Sequence, residues 1–130
     1  MNQIQGMIDS IESVDSIHLV RIRAGSTAIH CLTLDLDPRF VVGKEVVALY
    51  KETDVFLAKE FFGFISVENH LPAQVAYYKE GKILTEVVLQ SGFGAFSAIL
   101  TTRDFREMEI AQGDNLLALV KACAISLSEV

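Results

Sequence analysis

What most constrains this chain of 130 residues is that it repeats itself. The stretch GKEVVALYKETDVFL from Gly43 parallels GDNLLALVKACAISL from Gly113 at a constant offset of 70. Gly43 matches Gly113, Ala48 matches Ala118, Lys51 matches Lys121, Val55 matches Ile125 and Leu57 matches Leu127. Nearer the start of each half the offset is 67: Asn2 matches Asn69, Ile4 matches Leu71, Ile8 matches Val75 and Ile22 matches Leu89. The step from 67 to 70 requires three extra residues between Leu100 and Gly113. An ordered correspondence of this kind implies two similar units. They are read as residues 1–59 and 65–130, with Glu60-Phe61-Phe62-Gly63-Phe64 as a short joint. Because the joint is apolar, the units are expected to pack together rather than swing.

The local patterns are those of short strands. Ile17 to Ile22 mixes apolar and polar residues near period two and is rich in β-branched types. Ala28 to Leu34, Glu45 to Tyr50, Ile83 to Leu89, Ala95 to Leu100 and Asn115 to Val120 read as further strands. Turns fall at Ala24-Gly25-Ser26, Lys79-Glu80-Gly81-Lys82 and Ser91-Gly92-Phe93-Gly94. A helical turn or two is expected at Arg103 to Ile110, with Thr101-Thr102-Arg103-Asp104 as its start, where a hydroxyl cap precedes an early acidic residue. About five strands and a short helix per unit predict an all-β chain made of two tandem OB-like five-stranded barrels.

Composition narrows the function. Eleven basic against seventeen acidic residues give a net charge of -6, which argues against nonspecific nucleic-acid or acidic-membrane binding. No apolar run reaches the length of a membrane span. The start, MNQIQGMIDS, lacks the basic and apolar regions of a signal peptide. Cys31 and Cys123 are far apart and have no metal-ligand spacing, so a cytoplasmic chain with reduced thiols is expected. His18, His30 and His70 have no zinc spacing. Glu68, Asp104, Glu52 and Asp54 could hold a hard cation only if the fold brought them together. With no phosphate loop, nucleophile elbow or acid–base pair in view, an enzyme is not expected.

Two segments carry a resemblance. ISVENHLPAQV from Ile65 resembles the ISARNQLxGxV opening of molybdate-binding Mop/TOBE domains. ILTTRDFREMEIAQGDNLLALVKACAISL from Ile99 is similar to that family's T-x-x-S stretch, its LGL-x-x-G-[DK] turn and its strand ending in I-K-A-x-x-V-x-L. MNQIQG and GKEVVALYKETDVFL repeat the pattern in the first unit, so nearly the whole chain resembles a tandem di-Mop protein. The resemblance implies a noncatalytic protein that binds molybdate or tungstate at interfaces between units, for storage, homeostasis or sensing. It implies no covalent cofactor, a homo-oligomer (here taken as a trimer), and a transporter or regulator chain as a further partner. A tetrahedral dianion needs hydroxyls, backbone N–H groups and cations around it.

Carried over position by position, the oxyanion ligands are Ser66, Thr101, Lys121 and the Ala122 amide, with Lys51 recurring in the first unit. Three positions depart from the family. Glu68 stands where it has arginine, Asp104 where it has the serine of T-x-x-S, and Glu52 where it has the alanine after the lysine. Unit charges about 4 Å apart interact by roughly 4 kcal/mol at a dielectric near 20. Micromolar binding is worth only about 8 kcal/mol. An ionised carboxylate facing the anion therefore matters. The alternative is a degenerate module whose anion sites are filled by its own carboxylates and which serves as a structural or regulatory interaction domain.

Overall fold

The computed structural model describes residues Met1–Val130. Ten strands form: β1 (Asn2–Val14), β2 (Ile17–Ala24), β3 (Thr27–Leu34), β4 (Glu45–Tyr50), β5 (Phe56–Ala58), β6 (Asn69–Glu80), β7 (Leu84–Ser91), β8 (Gly94–Thr101), β9 (Asn115–Val120) and β10 (Ser126–Glu129). They make two antiparallel five-stranded sheets, in the orders β10-β4-β1-β2-β3 and β5-β9-β6-β7-β8.

Each sheet curls because its first strand is long and bulged. In β1 the pair Ile8↔Ile22 is followed by Ser10↔Arg21, so Asp9 faces no partner. In β6 the pair Val75↔Leu89 is followed by Tyr77↔Val88, which leaves Ala76 unpaired. A bulge bends and twists the strand that carries it. The first half of β1 therefore pairs with β4 and the second half with β2, and β6 divides the same way between β9 and β7. The result is a pair of OB-like barrels. Gly43 and Gly113 turn the chain into β4 and β9 at φ +93° and +89°, where a side chain is strained, and their N–H groups donate to Ile8 O and Val75 O at 2.8 Å. That is why both repeats keep glycine there.

The repeat expectation misses one thing. The last strand of each repeat leaves it and joins the other sheet: β5 pairs with β9, and β10 pairs with β4. Ion pairs pin both exchanged strands, with reversed polarity. Lys59, next after β5, lies 3.1 Å from Asp114 and donates to Glu109 O at 2.7 Å. Its repeat equivalent, Glu129 of β10, lies 3.2 Å from both Lys44 and Arg39. Lys44 is in turn the equivalent of Asp114. Had each strand stayed with its own unit, Lys59 would meet Lys44 and Glu129 would meet Asp114.

The repeated asparagines also cross between units. Asn69 Oδ1 accepts from His30 N at 2.7 Å, and its Nδ2 donates to His30 O at 2.9 Å. Asn2 does the same to Ser97, the repeat equivalent of His30, at 2.9 and 2.8 Å. Side-chain amides thus serve as one more rung on β3 and β8. Twenty-five buried residues drawn from both units form a single apolar core, including Ile4, Ile8, Ile29, Leu71, Val75 and Phe96.

The helix differs between repeats. In the second unit α1 runs Thr102–Glu107, shorter than the expected Arg103 to Ile110, and the chain turns away at Glu109 with φ +51°. The first unit has no α-helix, contrary to the expectation of one per repeat. It lacks the three extra residues and carries Pro38 there, so one turn closed by Phe40 N donating to Asp37 O takes the helix's place. What both units share is a 3₁₀ turn, Glu52–Asp54 and Ala122–Ala124.

Candidate functional site

Lys51 and Lys121 each open one of these 3₁₀ turns from an extended backbone. The Lys51 carbonyl accepts from Asp54 N and the Lys121 carbonyl from Ala124 N, both at 3.0 Å. Both side chains are exposed. Of the eleven basic residues, only Lys51, Lys82 and Lys121 have no carboxylate within 4.0 Å. In a chain with seventeen acidic residues, the two lysines that the repeats share are left free of ion pairs.

The residues around Lys121 form one cluster. Ala122 is buried, and its N–H donates to Glu68 Oε1 at 2.7 Å. Glu68 immediately precedes Asn69, whose clasp on His30 ties this corner to β3. The Ala122 amide, then the Glu68 amide and the charges of Lys121 and His30, hold the Glu68 carboxyl below the usual glutamate range, against a smaller opposing effect of desolvation. Glu68 thus turns inward onto the amide expected to line an oxyanion. His30 Nδ1 is buried with no hydrogen-bond partner.

Thr101 and Asp104 lie in a second place. They line a cavity of about 540 Å³ with Thr53, Phe56, Leu84 and Met108, between the first unit's 3₁₀ turn and the second unit's β8 and α1. Thr101 Oγ1 accepts from Asp104 N at 3.2 Å and so caps α1. The structure groups Lys121 and Ala122 with β3 of the other unit, and Thr101 and Asp104 with the turn that Lys51 opens. Within one chain the expected ligands thus lie at two separate corners. Ser66 is exposed in the segment just before β6. Glu52 Oε1 lies 2.9 Å from the Met1 amino nitrogen, which holds that carboxyl below its usual range.

His30 and Thr53 belong to these corners and were not among the candidates read from the sequence. Both come from the neighbouring unit, so only the Asn2/Asn69 correspondence hinted at a crossing point. No three His, Cys, Asp or Glu side chains gather as a metal-binding group. No helix is long and apolar enough to cross a membrane.

Fold and site together describe a pair of strand-exchanged OB-like barrels with an unpaired lysine at the matching corner of each. No family model matches the chain. It is 28% identical over 133 aligned positions to the molybdenum transport protein ModE of Herbaspirillum seropedicae, an alignment spanning 98% of this chain and 49% of that protein. The chain therefore spans about half the length of that curated relative. Among solved structures it is similar to the cytoplasmic molybdate-binding protein ModG in a crystal form with molybdate bound, with a TM-score of 0.93, 24% identity and coverage of 99% of this chain and 96% of that one.

Proposed function

We propose that this chain is a noncatalytic, cytoplasmic oxyanion binder of the Mop/TOBE kind that takes molybdate or tungstate at interfaces between units. The observation that carries the reading is the pair Lys51 and Lys121: repeated, exposed and free of carboxylate partners in an acidic chain. Likeness to ModE and to molybdate-bound ModG supports molybdate as the ligand. Lys121 and Lys51 supply charge, Ala122 an amide, and Ser66 and Thr101 hydroxyls. Because one chain shares these groups between two corners, an interface that brings corners of different subunits together completes a site. Phe62 and Phe64 in the joint are almost fully exposed, at 91% and 107%, and Phe61 and Ile65 beside them are partly exposed, which supports assembly into a homo-oligomer, here taken to be a trimer. Storage, homeostasis or sensing of molybdenum is the role proposed, with a transporter or regulator chain as partner.

The contact between Glu68 and Ala122 favours a second reading, in which the chain's own carboxylates fill the sites and the module is structural or regulatory. Calorimetric titration with molybdate, with sulfate and phosphate as controls, separates the two. Saturable binding of molybdate that Lys121→Ala weakens markedly, with the fold intact, supports the oxyanion reading. No heat from the folded oligomer refutes it. Sedimentation as a monomer at micromolar concentration refutes the trimer.

A further inference from the structure

We propose that Glu68 is a displaceable internal ligand: its carboxylate holds the Ala122 amide and gives way when an oxyanion enters. The proposal rests on the oxyanion reading and adds how that site is regulated. Three observations carry it. Glu68 Oε1 sits 2.7 Å from Ala122 N, the hydrogen-bond distance an oxyanion oxygen would take. The Glu68 side chain is exposed, so it can swing to water without breaking the core. The groups that favour its charge, the Ala122 amide, Lys121 and His30, are those that would favour a bound anion's charge. The neighbouring residue, Asn69, is fully buried and clasped to His30, so the backbone that presents Glu68 stays in place while the side chain moves.

An anion cannot share this corner with Glu68 turned inward. The amide has one proton to donate, and a dianion beside a carboxylate is repelled. Affinity is then lowered by the work of expelling Glu68, and selectivity is raised, because an anion that makes too few contacts does not displace it. The first unit is built differently. Glu52 occupies the position of Ala122 itself. The two corners are therefore not equivalent, and the latch belongs to the Lys121 corner alone.

The test compares wild type, Glu68→Gln and Glu68→Ala by molybdate calorimetry, together with the Ala122 amide resonance in an isotope-labelled sample. Glu68→Gln keeps an oxygen that can accept from Ala122 N but removes the charge, so it separates electrostatics from loss of fold. Before an anion can enter, the hydrogen bond from the Ala122 amide to the charged Glu68 carboxylate must break, and a bond of that kind is worth on the order of tenfold or more in affinity. Glu68→Ala, with no such bond to break, is expected to bind molybdate at least that much more tightly, and Glu68→Gln, whose neutral bond is weaker, more tightly by a smaller factor. The Ala122 amide is expected to move upfield in Glu68→Ala without ligand, and in wild type to shift as molybdate is added. Wild-type binding with unchanged or weaker affinity in both variants overturns the latch and leaves the oxyanion reading standing. Absence of binding in all three folded proteins overturns both.

Discussion

Replacing Asn69 by alanine removes two hydrogen bonds that join the units and leaves one N–H and one C=O of His30 without partners. Asn69 is fully buried, so water does not freely replace its amide. An unsatisfied buried polar group costs about 1–3 kcal/mol. His30 is only half-buried, which favours the lower part of that range for each group, so the pair should cost roughly 2–4 kcal/mol. That is a large share of the roughly 5–15 kcal/mol that holds a domain folded. Urea unfolding should show a lower midpoint with the slope unchanged. Asn69→Asp sharpens the test. At neutral pH its carboxylate still accepts from His30 N, but its second oxygen faces His30 O and repels it. When protonated, it regains a donor. Relative to wild type at the same pH, Asn69→Asp should therefore be at least as unstable as Asn69→Ala near pH 7 and recover on acidification. A loss below about 0.5 kcal/mol for Asn69→Ala, or an aspartate variant as stable as wild type at neutral pH, would refute the view that this amide acts as a rung between units.

Charge should also decide which strand goes where. Glu129→Lys places a cation beside Lys44 and Arg39 and should lower the melting temperature by a few degrees, and adding Lys44→Glu should restore most of it; no recovery in the double variant would sink the pairing argument. Acid should destabilise the fold through Asp9, Glu68 and Asp114. These carboxyls are held below their usual values chiefly by the Arg21 hydrogen bond, the Ala122 amide and the Ala111 amide respectively. Their folded values lie below their unfolded ones, so they contribute fully above the ordinary carboxylate range, and the contribution is lost as pH falls through that range to the depressed values. Urea stability flat down to about pH 2 would contradict this. The two thiols should differ sharply: Cys31 is fully buried, with burial pushing its thiol up to about 11, whereas Cys123 is exposed. Under native conditions a disulfide reagent should titrate one thiol quickly, and two rapid equivalents would mean that β3 is not sealed.

Much of the fold is legible in the residue pattern. Glu45–Tyr50 and Asn115–Val120 are strands with the bounds read from their patterns, and the other expected strands differ at their ends by up to two residues. Thr101 caps a helix, as its hydroxyl before an acidic residue suggested. The long strands β1 and β6 were not delimited, because a bulge shifts the alternation of side chains halfway along and breaks the period of two. The helix of the first unit was wrongly expected, since the repeat implied it while Pro38 and the missing residues forbade it.

For the site, the family resemblance singled out Lys121 and Ala122 and marked Glu68 as a departure, and the repeat added Lys51. They could not say where Glu68 points. That depends on a torsion choice made when the segment before β6 meets the 3₁₀ turn at Ala122, 54 residues away in the chain. The sequence by itself determined the duplication, the OB-like pattern, the acidic surface and the two lysines, because each is written in neighbouring residues or in a fixed offset. Only the tertiary structure decided that the last strands trade places, that Asn2 and Asn69 clasp the opposite unit, and that Glu68 sits on the Ala122 amide. The physical reason is that equivalent repeats offer equivalent edges. In the arrangement observed, opposite charges meet beside both exchanged strands and side-chain amides bridge the units, and such contacts between distant residues leave no local pattern to read.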